Sequence, residues 1–365
     1  MLVLSLFALL QRNLLPDWAL GGFARPSDIN PVIVPRGDSV FLDPMSGRPV
    51  AWEGSDTFNP AATVKNGHIV VLYRAEDHLA EGIGRRTSRL GYAESRDGLR
   101  FDRRKEPVLF PADDGQKGAE WPGGCEDPRV ALTEDGTYAV FYTQWNRQKA
   151  QLAVATSRDL LHWTKYGSIF RHSDFHPDFF KSASPVTHVA KGRQVLAKVG
   201  GRYWMYWGED AVYAATSTNL VDWSPVRDAD GSVKKLATPR KGFFDSVLTE
   251  CGPPAILTSR GIVLLYNGKN DSGEKGDRRF ASGAYCAGQI LFSAGDPTKP
   301  LARLDVPFFR PMESFERSGQ YVQGTVFIEG LTWFKGKWFL YYGGADSKVG
   351  VAVFDPKHPA AGDPF

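Results

Sequence analysis

Three stretches place carboxylates where an extended strand begins or ends. GGCEDPRV (123–130) sets Glu126 and Asp127 against Pro128 and Arg129, just ahead of an apolar run. LTECGPPAIL (248–257) holds Glu250 beside a cysteine and two prolines, and RYWMYWGED (202–210) ends on Glu209 and Asp210. Burial raises a carboxyl pKa and a nearby cation lowers it, so two such groups can be tuned apart into acid and base. The competing readings are structural: Asp before Pro is a common turn starter, and Glu250 can pair with an arginine. Glycosidic cleavage is one reaction that such a pair serves. An inverting enzyme holds its two carboxyls ~6.5–9.5 Å apart, leaving room for a water on the far face of the sugar. An aromatic content of 13% suits a sugar ligand, whose C–H faces stack on Trp and Tyr. Trp121, Trp145, Trp204, Trp207 and Tyr321 are the candidates, each competing with a role in strand packing.

Residues so distant in sequence must be assembled by a repeating scaffold. Five segments share an apolar strand ending in tyrosine, with Asp or Asn four residues later: VVLYRAED (Tyr73, Asp77), VFYTQWN (Tyr142, Asn146), YWMYWGED (Tyr206, Asp210), VLLYNGKN (Tyr266, Asn270) and FLYYGGAD (Tyr342, Asp346). A second strand follows each, as in RLGYAES and QLAVATS. Another apolar stretch precedes each: FNPAATV, DPRVALT, VLAKV, GPPAILT and GTVFIEGL. Helical periodicity is nearly absent. The pattern predicts an all-β chain, a five-bladed β-propeller, in which repetition around an axis supplies the core that one unit lacks. Residues 29–365 then form one catalytic domain, with 1–28 an N-terminal extension. KEPVLFP (105–111) is the expected outer strand of the first blade, and INPVIVP (29–35) is expected to cross over and complete the last.

Net charge of +3 over 365 residues gives no reason to expect nucleic acid or an anionic membrane as partner. Three cysteines without CxxC spacing argue against a disulfide framework or a structural zinc. The run MLVLSLFALLQRNLL is too short to span a bilayer. It reads as a signal remnant or as a docking helix, which makes a periplasmic or secreted location the first expectation and the cytoplasm the alternative. Self-association into a homo-oligomer is left open.

The motifs FNPAATV, LYRAED, SRLGYAESRDGLRF, EDPRV, ECGPPAI, FERSGQ and YYGGAD resemble those of glycoside hydrolase family 130, the β-mannoside phosphorylases and β-1,2-mannosidases. The resemblance runs from about residue 58 to 352 and implies the same propeller. It implies Asp127 as general acid, protonating the glycosidic oxygen through a hydroxyl of the mannose in the −1 subsite. Asn59, Arg74, Asp77, Arg89, Arg129, Lys198 and Asp346 would hold that mannose. Family phosphorylases carry a His-Arg pair where this chain has Gly208-Glu209, and tend to a small neutral residue where it has Glu250. At ~5 Å and an effective dielectric of about 20, each carboxylate opposes one charge on phosphate by roughly 3 kcal/mol. The departure favours an inverting exo-β-mannosidase acting on β-1,2-linked manno-oligosaccharides, with Glu250 or Glu209 as base. No metal or organic cofactor is expected, and inorganic phosphate enters only if the alternative, a phosphorylase releasing mannose 1-phosphate, holds. A non-catalytic carbohydrate-binding propeller is the alternative from another class, and sucrose- and arabinan-cleaving propellers stand further off. Glu313 and Glu316 are weaker candidates for the +1 subsite.

Overall fold

The computed structural model of the chain describes residues 15–358 and is nearly all β, with a four-residue helix at Lys117–Glu120 and a 3-10 turn at Ser314–Arg317. The apolar run read as a leader or docking helix lies, but for Leu15, outside the described residues. No helix among the described residues is long and apolar enough to cross a membrane.

Each tyrosine of the repeat lies in the middle strand of an antiparallel group: His68–Glu76, Tyr138–Trp145, Arg202–Trp207, Gly261–Lys269 and Lys337–Gly344. The strand before each pairs on one edge and the strand after it on the other. Ladders continue between some neighbours, giving sheets of two, nine, eleven and three strands. In the third group the preceding strand is Ala183–Ala190, not VLAKV, whose residues fall in two short strands on either side of Ala197. The outer strand after the first group is Asp102–Arg103, and from KEPVLFP only Leu109 bridges inward, to Leu90.

The tyrosines share a packing rule. Opposite each ring stands glycine or alanine: Gly91, Ala153, Ala214, Gly288 and Gly350. At Gly91 a Cβ would come within 2.3 Å of the Tyr73 ring, so the small residue makes room for it. A buried hydroxyl needs a partner. Tyr73 donates to Glu53, Tyr142 to Glu120, Tyr266 to Asp245 and Tyr342 to Glu316. Each acid is paired in turn with a cation, respectively Arg103, Lys165, Arg303 and Arg25. Arg103, Lys165 and Arg303 stand in register opposite Ala93, Ala155 and Ile290 on short outer strands. In the third group Ser224, opposite Thr216, holds that register place, and Tyr206 donates to the Pro297 carbonyl instead.

Arg25 performs the same task from the N-terminal segment. Its neighbour Ala24 exchanges backbone hydrogen bonds with Val353, and Ile33 pairs with Val349. Arg25 Nε reaches Glu316 at 2.7 Å, and the guanidinium lies 4.0 Å from the Phe309 ring. Glu316 is fully buried, which removes it from the sugar-contact role considered for it. Removing one partner of a buried ion pair leaves an uncompensated charge. Arg25→Met is therefore expected to lower unfolding free energy by about 3–5 kcal/mol in urea titrations, with Glu316→Gln restoring part of the loss.

Five apolar clusters fill the spaces between groups. One joins Leu72 and Leu90 to Val130 and Val140, another Phe141 and Val154 to Met205 and Trp207. A third joins Tyr206 to Leu264, and a fourth Leu265 to Ile328 and Leu340. The fifth sets Phe339 and Tyr341 of the last group against Ile69 and Val71 of the first.

Candidate active site

The strands that open the groups converge at their starts, and bulges there aim the side chains. Pairing slips by a residue between Phe58 and Pro60, and between Glu126 and Arg129. Asn59 and Asp127 fall within these slips in left-handed backbone, φ 44° and 48°. Asn and Asp are among the few non-glycine residues that adopt this region readily. A bulge redirects a side chain that strict alternation would send elsewhere. Asn59 Nδ2 consequently donates to Asp127 Oδ1 at 2.8 Å across two groups of strands.

A cavity of about 350 Å³ opens over this point, and two cations organise its carboxylates. Arg74 NH1 donates to Asp127 Oδ1 at 2.9 Å, while NH2 donates to Glu76 at 2.7 Å and Glu126 at 2.9 Å. Lys181 Nζ stands 3.2 Å from Glu250, 3.4 Å from Glu209 and 4.0 Å from Asp127. Asp127 and Glu250 thus face each other across one ammonium group. The two distances together limit the separation of these carboxylate oxygens to at most about 7.2 Å.

Glu209 and Glu250 are neighbours because their backbones pair: Thr249 N donates to Glu209 O at 3.1 Å, and Cys251 N to Gly208 O at 3.0 Å. Gly208 is required in that turn. Its φ is 110°, and a Cβ would lie 2.4 Å from the Ala211 carbonyl. Ser182 Oγ donates to Glu250 Oε1 at 2.5 Å. The Glu250 side chain is 2% exposed and that of Glu209 40%, so Glu250 forms floor and Glu209 rim.

Protonation follows from these contacts. Burial alone would raise Asp127, but Arg74, then Lys181 and Arg129, and the Asn59 hydrogen bond hold it well below the usual carboxylate range. Glu126 is pushed up by burial, against the pull of Arg74 and with the help of Asp127. The two acids share one guanidinium, so a proton in this corner belongs to the pair. Asp346 is pushed up to about 7, first by burial, with Arg74 opposing and Asp127 adding to the rise. Burial also raises Glu250, although Lys181 opposes it. Lys181 itself stays cationic: burial would lower it, and Glu250, Glu209 and Asp127 outweigh that.

Of the residues expected here, Asp127, Glu250, Glu209, Asn59, Arg74 and Asp346 line the cavity, as do Trp145 and Tyr321. Four are elsewhere. Arg129 is buried behind the strand entry, held by the carbonyls of Cys251, Gly252 and Asp127 and by Glu329 at 3.0 Å. Its charge braces the backbones that carry Asp127 and Glu250. Arg89 is fully buried between Asp77, at 2.7 Å, and Asp43, at 3.5 Å, so this pair ties a loop to the hairpin spanning Val40–Ala51. Lys198 is exposed in a short hairpin pairing with Tyr203, with its ammonium over the Tyr203 ring. Lys181 is the lysine that reaches the acids. Ser184-Pro185 gave the signal for it, since it repeats the Asn59-Pro60 and Asp127-Pro128 dipeptides that open other such strands.

Comparisons with known proteins agree with this geometry. A family profile described as beta-1,4-mannooligosaccharide phosphorylase, that of glycoside hydrolase family 130, matches residues 39–357. A solved glycosyl hydrolase from Bacteroides ovatus is 61% identical, with TM-score 0.94 over 96% of this chain and 99% of that one. A second solved structure is described with the words that the GH130 family of mannoside phosphorylases contains glycoside hydrolases that target beta-1,2 mannosidic linkages in Candida mannan. It is 59% identical, with TM-score 0.95 over 96% of this chain and 99% of that one. The 1,2-beta-oligomannan phosphorylase of Thermoanaerobacter sp. (strain X514) is 28% identical over 331 residues, 90% of this chain and 95% of its own.

Proposed function

The chain belongs to glycoside hydrolase family 130 and is an enzyme of β-mannosides; from that premise we propose an inverting exo-β-mannosidase that cleaves β-1,2-linked manno-oligosaccharides with water. The observation that carries the reading is the charge balance of the cavity. Among the described residues that line it, the cations are Arg74 and Lys181, and both are already surrounded by carboxylates. An incoming phosphate dianion meets Asp127, Glu209 and Glu250 with no cation to spare, whereas a water needs one of those glutamates as base.

In the proposed reaction, the terminal mannose sits on the floor, held by Asn59, Arg74 and Asp346. Glu250 accepts a proton from a water as its oxygen attacks carbon 1 from the face opposite the leaving group. Glu126, pushed up to about 7, holds the proton of the pair, and Asp127 passes it to the departing oxygen through a mannose hydroxyl. Lys181 holds acid and base in place. The products are α-mannose and a shortened oligosaccharide, and no metal or organic cofactor takes part.

The proposed scaffold is a five-bladed propeller spanning residues 29–365 as one domain, with the N-terminal segment completing the last blade. The tyrosine groups, the cluster joining the last group to the first, and Arg25 standing where outer-strand cations stand elsewhere all support it.

The deciding assay incubates β-1,2-mannobiose with and without inorganic phosphate. Mannose released at the same rate in both supports the reading; accumulation of mannose 1-phosphate rejects it in favour of the phosphorylase. The pH profile is a second check. Asp346, at about 7, is neutral below that pH and charged above it, and Glu126 is shifted the same way. Ionisation drains the site of the protons the acid step requires. The kcat/KM is expected to fall above pH about 7, and a profile flat to pH 9 contradicts this account.

A further inference from the structure

Apolar side chains form one wall of the cavity's rim. Phe179 is 63% exposed and Ile83 60%, although both line the cavity. Single exposed apolar residues are ordinary; these are joined through the backbone into a surface. Phe179 pairs in parallel with Ala150, which stands opposite Trp145, and Trp145 Nε1 donates to the Gly84 carbonyl, next to Ile83, at 3.0 Å. Strand alternation fixes which way Phe179 faces. Phe180 is buried against Phe170, ring centroids 5.2 Å apart, while Phe179 and Lys181 both line the cavity. The apolar wall therefore begins two residues from the ammonium group that joins the acid and base.

The floor beneath is polar and buried, so it accepts a chain end, and the rest of the oligosaccharide must leave past the rim. We propose that Phe179, Ile83 and Trp145 form the platform for the sugar on the leaving-group side of the cleaved bond. The inference rests on the β-mannosidase reading and deepens it. The wall presents an aromatic face and an aliphatic side chain to the apolar C–H face of a pyranose, and Trp145, tied through its indole N–H, cannot turn away. It selects substrates by their leaving group and leaves recognition of the terminal mannose to the floor.

The test compares Phe179→Ala and Ile83→Ala with wild type on β-1,2-mannobiose and on β-mannosyl fluoride, whose leaving group is a single atom. The ratio of kcat/KM for mannobiose to that for the fluoride is expected to fall about tenfold in Phe179→Ala, mostly through KM. It falls less in Ile83→Ala, and Phe179→Trp restores it. A ratio within twofold of wild type, whether both rates fall or neither does, overturns the platform. If wild type requires phosphate in place of water, the hydrolase reading fails separately, and the same ratio is scored with mannobiose phosphorolysis.

Discussion

Asp127→Asn is expected to lower kcat on β-1,2-mannobiose by roughly 10²–10⁴-fold, the contribution of a general acid, while the protein keeps its fold. Asparagine suits the test because residue 127 has φ 48°, and Asn tolerates left-handed backbone where Ala is strained. The Asn carbonyl can still accept from Arg74 and Asn59, which donate to Asp127 Oδ1. What disappears is the carboxylate that relays the proton. Leaving-group dependence separates this from a binding defect: a 2,4-dinitrophenyl β-mannoside departs without protonation and should recover most of the lost rate. An equal loss on both substrates would remove Asp127 from the acid role.

Glu250→Gln is the second large effect, again roughly 10²–10⁴-fold in kcat. Gln can keep the hydrogen bond from Ser182, and Lys181 keeps Glu209 and Asp127 as partners, so the cavity retains its shape. Azide, which needs no deprotonation, should restore turnover and give the α-mannosyl azide. Glu209→Gln should cost less, because its half-exposed side chain leaves water to compensate. If Glu209→Gln is the deeper lesion and the one that azide rescues, the two glutamates exchange roles.

The sequence carried the scaffold in its tyrosine strands and most of the acidic floor in the residues that begin or follow them. Asp127, Glu209 and Glu250 were legible as carboxylates at strand ends, and Asn59, Arg74 and Asp346 through the family resemblance of FNPAATV, LYRAED and YYGGAD. Lys181 was not: it follows Phe179-Phe180, a two-residue strand with no tyrosine to index it, and the more apolar VLAKV drew attention to Lys198. Arg129, Arg89 and Asp77 fall outside the cavity lining for a shared reason. A motif fixes residue type and spacing, but the same charge can face a sugar or neutralise a buried partner, and the deciding partners, Glu329 and Asp43, lie far away in sequence. The acid and cation anchoring the hydroxyls of Tyr73, Tyr142, Tyr266 and Tyr342 were invisible likewise, since they come from segments flanking the strands at varying distances.

The hydrogen bonds between Ala24 and Val353 set an order of events during synthesis. The first of these segments leaves the ribosome more than three hundred residues before its partner exists. Arg25 likewise waits for Glu316, and the outer edge of Lys348–Phe354, once made, stays unpaired until the N-terminal segment docks on it. Joining segments so distant is slow, because the loop entropy is lost before any contact returns it. Completion of the fold therefore waits until Lys348–Phe354 has been made. In that interval the open edge is the part most exposed to pairing with another chain.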